Sequence, residues 1–170
     1  MAYITTLAKL REFGACERGY DLIAGHVGAD YEGNIDLLTI LDVNGIEDCI
    51  WSLRATDGGS ELATAFSIYC AHRHCTDHYW IKWASRWMSG KDRTRREAAL
   101  AARAAEMVAA RAALAAALAA RVPCESASRA ALAARAAGSA AGSASEQKWQ
   151  IDLLYKMLSG GVSNEIRKTR

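Results

Sequence analysis

The sequence concentrates residues that could bind a metal ion between Cys70 and His78. Three of the four histidines and two of the five cysteines lie within these nine residues. If the segment is one helix, Cys70, His74 and His78 recur every four residues and share one face, a spacing that suits zinc. No Cys-x-x-Cys pair accompanies them, and the same stripe also suits buried cysteine and hydrogen-bonded histidine in a core. We therefore predict no metal and no cofactor, and keep these three residues as a subordinate zinc hypothesis.

Signals for covalent or phosphate chemistry are weaker still. Cys16, Cys49 and Cys124 have no histidine nearby in the sequence, and no serine stands in a Gly-x-Ser-x-Gly elbow. The glycines at 25–28 and 57–59 lack the lysine and hydroxyl residue of a phosphate-binding loop. We expect no enzymatic activity, with a triad assembled from distant positions left open.

A cluster of arginines marks a candidate contact with a partner. Arg93, Arg95 and Arg96 surround Thr94, which together with Glu97 forms a capping box and predicts the start of a helix. The helix macrodipole disfavours cations at this end, so the placement favours ionic contact with carboxylates or phosphates of a partner. The alternative interpretation is a solvated turn between two helices.

Two further sets of residues join this hypothesis. Trp83 and Trp87 precede the arginines, and an exposed tryptophan beside arginine is the composition favoured at interface anchors. Core packing is the alternative for both rings. The carboxylates of Asp42, Glu47 and Asp48 predict a second contact surface, although acids at the start of a helix explain the last two equally well.

The chain through residue 57 is predicted to fold as short helices separated by glycine. Apolar residues at helical spacing predict four such helices. The first follows a threonine cap at position 5 or 6, the second covers 16–27, the third follows a cap at Asn34 and the fourth starts at residue 46. Asn44-Gly45 could instead turn a hairpin, but the preceding residues do not alternate cleanly. Gly58-Gly59 marks the clearest internal boundary, and the pattern is helical again from Glu61 to Met88.

Alanine dominates the remainder of the chain. The sequence holds 35 alanines, of which 25 lie between positions 98 and 144, and alanine is the strongest helix former. A seam spaced by heptads indicates close packing of helices; it comprises Leu100, Met107, Leu114 and Leu118. Because Pro123 interrupts this region, we expect two long helices in an antiparallel hairpin, with the tryptophan-bearing helix as the third member of a bundle.

The predicted fold class is therefore all-α, with an N-terminal cluster of short helices followed by a bundle of three long helices. The predicted organisation is a short-helix region over 1–57, an alanine-rich bundle over 60–160 and a basic tail over 161–170. The net charge of +2 does not indicate a dedicated nucleic-acid binder, so we do not expect nucleic acid as the sole partner. We see no signal peptide and no apolar run long enough to span a membrane, and the number of cysteines is odd. We therefore expect a cytoplasmic protein with no membrane partner.

Two N-terminal blocks resemble a family of small bacteriophage- and prophage-encoded alanine-rich helical proteins. These blocks are TLAKLREFGAC at 6–16 and LDVNGIEDCIWSLRA at 41–55; the alanine/arginine helices ending on Trp149-Gln150 are similar to the same group and to bacterial immunity proteins. The resemblance implies an accessory protein in the cytoplasm of an infected bacterial host. It further implies binding and steric inhibition of a bacterial defence complex, with a CRISPR effector, and thus an anti-CRISPR role, as the first candidate. An immunity-type protein that neutralises a toxin, and a small metal-binding or enzymatic protein, are the alternatives, and a homodimer is left open.

Overall fold

The computed structural model describes residues 2–73, 75–107 and 144–160, with the backbone alone for 102–107. Over these residues the protein is mostly helical, which confirms the all-α class. The helices are α1 Leu7–Glu12, α2 Glu17–Val27, α3 Leu37–Asn44, α4 Ile46–Ser52, α5 Gly59–His72, α6 His78–Met88, α7 Arg95–Met107 and α8 Ala144–Leu158, with a 3₁₀ turn over Leu53–Ala55. Two-residue strands, β1 Ile4–Thr5 and β2 Ile35–Asp36, pair antiparallel with Ile4 opposite Asp36.

Several of the described helices begin at a short side chain that accepts a hydrogen bond from a backbone N–H group. Of the two threonines predicted as caps, Thr6 caps α1, its Oγ1 accepting from Lys9 N at 3.1 Å. The predicted cap at Asn34 is wrong, because the chain stays extended through β2 and the helix starts later. Asp36 caps α3 instead, its Oδ1 accepting from Leu38 N at 2.9 Å.

The segment from Glu61 to Met88 is two helices and not the one helix that the pattern predicted. Helix α5 ends at His72, and Asp77 starts α6 by accepting from Trp80 N at 2.7 Å. An aspartate at this position offers the backbone a cap and so favours a new helix start over continuation. Asn44-Gly45, by contrast, connects helices α3 and α4 and is not a hairpin turn.

The face of α7 that packs inward is formed by alanine. Ala98 and Ala101 are buried, whereas the exposed fraction of Leu100, the first residue of the predicted seam, is 37%. Small side chains let α7 approach α6 closely, and the large apolar groups come from the tryptophans of α6. The prediction of a leucine seam is therefore wrong at Leu100. Leu114, Leu118 and most of the predicted hairpin, including its turn at Pro123, lie outside the described residues, as does the predicted tail over 161–170.

Gly58 and Gly59 form a tightly packed turn. Gly58 has a φ of +72°, and a Cβ built on Gly59 would meet the carbonyl oxygen of Leu53. Thr5 Oγ1 donates to Ala55 O at 2.9 Å beside this turn and ties β1 to the 3₁₀ segment. The buried side chains form one continuous core from Leu7 to Leu158, so the residues before and after the predicted boundary at 58–59 share it.

Arg73, just after α5, holds α8 in two ways. Its Nε lies 3.3 Å from Oε2 of Glu146, and its guanidinium lies 4.2 Å from the ring centre of Trp149. The Glu146 side chain is only 2% exposed, whereas that of Arg73 is 45% exposed, so the buried carboxylate is paired with a partly solvated guanidinium. Within the described ranges, no helix is long and apolar enough to cross a bilayer.

Candidate partner-binding surface

The turn between α6 and α7 is organised by Asp92. Its Oδ1 accepts from both the backbone N–H and the hydroxyl of Thr94, at 3.0 and 2.9 Å, and its Oδ2 lies 3.1 Å from Nη2 of Arg86. These hydrogen bonds from Thr94, and then the Arg86 charge, lower the pKa of Asp92 below its usual value. The turn that carries the arginine cluster is therefore ordered by its own polar groups.

The predicted capping box is only half formed. Glu97 N donates to Thr94 Oγ1 at 3.4 Å, but Thr94 N donates to Asp92 and not to the Glu97 carboxylate. That carboxylate accepts instead from the hydroxyl of Tyr79 at 3.0 Å, which joins the start of α7 to the start of α6. Desolvation, followed by this hydrogen bond, raises the pKa of Tyr79.

Arg93 is engaged inside the molecule. Its Nη1 lies 2.6 Å from Oε1 of Glu61, its guanidinium lies 4.7 Å from the Trp87 ring centre, and its Nε donates to the Trp87 carbonyl at 3.3 Å. One side chain thus connects α5, α6 and the turn before α7. Although Arg93 was predicted to contact a partner, its described contacts are those of an intramolecular clamp.

Arg95 and Arg96 are in a different position. Both are exposed in the first turn of α7, and over the part of the chain that the structure describes neither forms an ion pair or a hydrogen bond through its side chain. Arg96 lies close enough to Tyr79 for its charge to act on the phenol and lower its pKa, against the larger opposing effects. These two arginines and Tyr79, which is 42% exposed, define what we call the arginine corner.

The tryptophans beside the corner belong to the core. Trp83 is 3% exposed and Trp87 5%, and Trp80 packs edge-on against Trp83 with ring centres 5.8 Å apart. The condition under which Trp83 and Trp87 were predicted to serve as contact residues, exposure to solvent, is not met. Both rings are part of the hydrophobic core, which corrects the expectation. The exposed aromatic residue of the arginine corner is Tyr79, which the sequence analysis did not select.

The predicted acidic surface is divided by the fold. Asp42 on α3 and Glu47 on α4 are exposed. Asp48 is half-buried, and its Oδ2 accepts from Asn44 Nδ2 at 3.0 Å. Asn44 Nδ2 also donates to the Gly19 carbonyl at 2.7 Å, so Asp48 belongs to the contact between α2, α3 and α4.

The Cys/His cluster does not form the predicted helical stripe. Cys70 is fully buried on α5, whereas His78 is exposed at the start of α6, beyond the break at 73–77; His74 lies outside the described residues. Burial, and then the nearby Glu146 carboxylate, raise the pKa of the Cys70 thiol far above its usual range, which disfavours the thiolate that a metal requires. Among the described residues, no group of three or more metal-ligating side chains is arranged to hold an ion.

Sequence reasoning missed one further feature, a cavity of about 140 Å³ between α1, α2, α3 and α4. Its lining is mainly apolar and includes Leu10, Ile23, Ile40 and Trp51, together with the polar side chain of Asn44. These residues come from four separate elements, so their spacing along the chain carries no signal of the cavity.

Comparison with protein-family models, with curated proteins and with solved structures found no match to this chain.

Proposed function

We propose that this chain is a phage-encoded binding protein that inhibits a bacterial defence complex by steric occlusion, with a CRISPR effector as the first candidate target. The setting rests on the resemblance of residues 6–16 and 41–55 to phage and prophage proteins. The structural observation that supports a binding role is the arginine corner. It presents two guanidinium groups to solvent next to an ordered turn. The location that we propose, the cytoplasm of the infected host, follows from the same resemblance.

The energetics of the corner favour an acidic partner. The free N–H groups at the start of α7 already carry partial positive charge, so Arg95 and Arg96 raise the local positive potential. The two carboxylates that flank these arginines in the sequence are already engaged: Asp92 by Arg86 and Thr94, and Glu97 by Tyr79. A carboxylate or phosphate on a partner would meet both guanidinium groups, and Arg is the residue best suited to such paired contacts.

The test is phage survival under CRISPR interference. Expression of the chain is expected to restore plaque formation by a targeted phage, and the double variant Arg95→Glu/Arg96→Glu is expected to lose this effect. The matched control is Lys148→Glu/Lys156→Glu, which makes the same change in net charge at exposed positions of α8 and should keep the effect. Undiminished phage killing across the main CRISPR system types would overturn the proposed target.

A second candidate is an immunity-type protein that neutralises a toxin. The exposed carboxylates of Asp42 and Glu47 favour it, because an acidic surface steers a basic partner and complements it. Rescue of cells from a cognate toxin, lost in Asp42→Lys/Glu47→Lys and kept in Arg95→Glu/Arg96→Glu, would select this function over the first.

A further inference from the structure

The segment that connects α6 to α7 runs back along α6 and brings two sets of cations together. At one end of this segment Lys91 N donates to the Arg86 carbonyl at 3.0 Å, and at the other the Tyr79 hydroxyl donates to Glu97 at 3.0 Å. Between these points the Asp92 carboxylate lies 3.1 Å from Nη2 of Arg86. The basic residues of the connecting segment therefore lie beside those of α6.

Positive charge is concentrated on this side of the molecule. Residues 78–96 contain six lysines and arginines and one aspartate, a net charge of +5, whereas the whole sequence has +2 and the remaining residues therefore −3. Five of these cations are exposed and form what we call the basic face: Lys82, Arg86, Lys91, Arg95 and Arg96. Clustering of this kind favours a polyanionic partner, and the small net charge of the whole chain conceals it.

The cations of the two helices surround one aromatic ring. Tyr79, Lys82 and Arg86 are three and four residues apart and so share one face of α6. The charges of Arg86 and Arg96 are both close enough to the Tyr79 phenol to oppose the rise in its pKa, which desolvation and then the hydrogen bond to Glu97 cause. The ring itself is 42% exposed, so it is accessible between these charges.

Most of the basic face has no partner inside the protein. Four of its members form no ion pair or hydrogen bond through their side chains over the part of the chain that the structure describes: Lys82, Lys91, Arg95 and Arg96. Arg86 is paired with Asp92, yet its side chain stays 49% exposed. Lysine and arginine side chains that are free in this way are the usual donors to phosphate oxygens.

The composition of the basic face favours phosphates over the carboxylates of a protein. Over residues 78–96, all of which the structure describes, Tyr79 is the one large apolar or aromatic side chain that is well exposed. Protein–protein interfaces depend on several apolar anchors and are depleted in lysine, whereas interfaces with nucleic acids are polar and strongly positive. A single exposed ring among cations also suits stacking with an unpaired base.

We propose that the basic face binds the phosphate backbone of a single-stranded nucleic acid, with little dependence on sequence. The inference rests on the proposed function for its setting, since a CRISPR effector holds a guide RNA and a displaced DNA strand. RNA and DNA share the phosphate backbone, so both enter the test.

The test is fluorescence anisotropy of the purified full chain with labelled oligo-dT and oligo-U of about 20 nucleotides. We expect a Kd on the order of 10 µM near physiological salt. Contact with about four phosphates should weaken binding roughly 50-fold between about 50 and 200 mM salt. Tighter binding of oligo-U would identify RNA as the source, and tighter binding of oligo-dT would identify DNA. Absence of binding would overturn the proposal, and so would equally tight binding of polyglutamate of similar length, which would indicate an acidic protein instead.

A double variant locates the site. Lys82→Ala/Lys91→Ala should weaken binding roughly ten-fold or more at about 0.1 M salt and reduce its salt dependence, because two phosphate contacts are lost. The matched control, Lys148→Ala/Lys156→Ala, removes the same charge at exposed positions of α8 and should leave binding unchanged. Equal effects of the two double variants would indicate general charge attraction and contradict the assignment.

The binding assay contains neither an effector nor a phage, so its result is separate from that of the plaque assay. Oligonucleotide binding without rescue of the phage would overturn the proposed target alone. Rescue of the phage without oligonucleotide binding would overturn the phosphate assignment alone.

Discussion

Arg93 is expected to stabilise the fold, whereas its neighbours Arg95 and Arg96 are expected to contact a partner. Replacing Arg93 by alanine removes the Glu61 ion pair and the guanidinium over Trp87. The ion pair is well exposed, at 42% and 59% for the two side chains, so it should contribute only about 0.5 kcal/mol. The contact with the Trp87 ring adds about 0.5–1 kcal/mol.

Loss of the hydrogen bond from Arg93 to the Trp87 carbonyl adds little to the stability lost with the ion pair and the ring contact. Gly90 N also donates to that carbonyl, at 3.0 Å, so the oxygen keeps a partner after the substitution. We therefore expect Arg93→Ala to lower the free energy of unfolding by about 1–2 kcal/mol. For a chain of this length, at about 2–4 °C per kcal/mol, such a loss lowers the melting temperature by roughly 2–8 °C.

The assay is urea and thermal unfolding followed by circular dichroism, with Arg95→Ala and Arg96→Ala as matched controls. Both controls should stay within about 0.5 kcal/mol of the wild type, because no ion pair or hydrogen bond of their side chains is found over the described residues. A double-mutant cycle with Glu61→Ala should show a coupling of about 0.2–1 kcal/mol with Arg93. If Arg93→Ala is as stable as Arg95→Ala and the cycle is additive, the clamp does not exist in solution.

Three other predictions concern the glycines, the cysteines and the Asp92 turn. Gly59→Ala should lower the free energy of unfolding by about 3 kcal/mol or more, since the added Cβ would overlap the Leu53 carbonyl. Gly25→Ala, with open space around it in α2, should raise the free energy of unfolding by about 0.5–1 kcal/mol. Equal effects of the two substitutions would contradict the packing of the turn. In a Cys124→Ser background, maleimide should label the exposed Cys16 first. It should label Cys70 only on unfolding, because this thiol is buried and its pKa is raised. Labelling of both thiols at similar rates in the folded state would refute this. Because the pKa of Asp92 is lowered in the folded protein, its stabilising effect is present above the ordinary value of 3.8 and is lost as pH falls through the folded value. Asp92→Asn should therefore reduce stability at pH 7 but not at the acidic limit, and a difference that persists unchanged down to that limit would contradict the sign.

Local signals along the sequence were sufficient for much of the helical pattern. The threonine cap at position 6, the helix over 17–27 ending before Gly28, and the paired helices around Asn44-Gly45 are as predicted. Each depends on a side chain and backbone groups within a few residues of one another, so the sequence shows both partners. The same local reading failed where two local preferences competed, as at Asp77, whose capping hydrogen bond broke a continuous apolar stripe into two helices.

The candidate surface was predicted in part for the same reason. The clustering of arginines along the sequence identified this turn, but it could not show which arginines are engaged. Arg93 contacts Glu61, thirty-two residues earlier in the chain, whereas Arg95 and Arg96 are exposed. Nor could it predict that Trp83 and Trp87 are buried, because burial depends on how the other elements pack around α6.

The sequence by itself determined the helical class, most helix starts in the first sixty residues and the position of the basic turn, since these depend on backbone propensity and short-range hydrogen bonds. Only the tertiary structure decided which arginines are engaged, which aromatic ring is exposed and that Asn44 lies at a cavity between four helices. Those outcomes depend on contacts between segments far apart in the chain, and the free energy of such contacts is set by packing and burial, not by the residue types within any one segment.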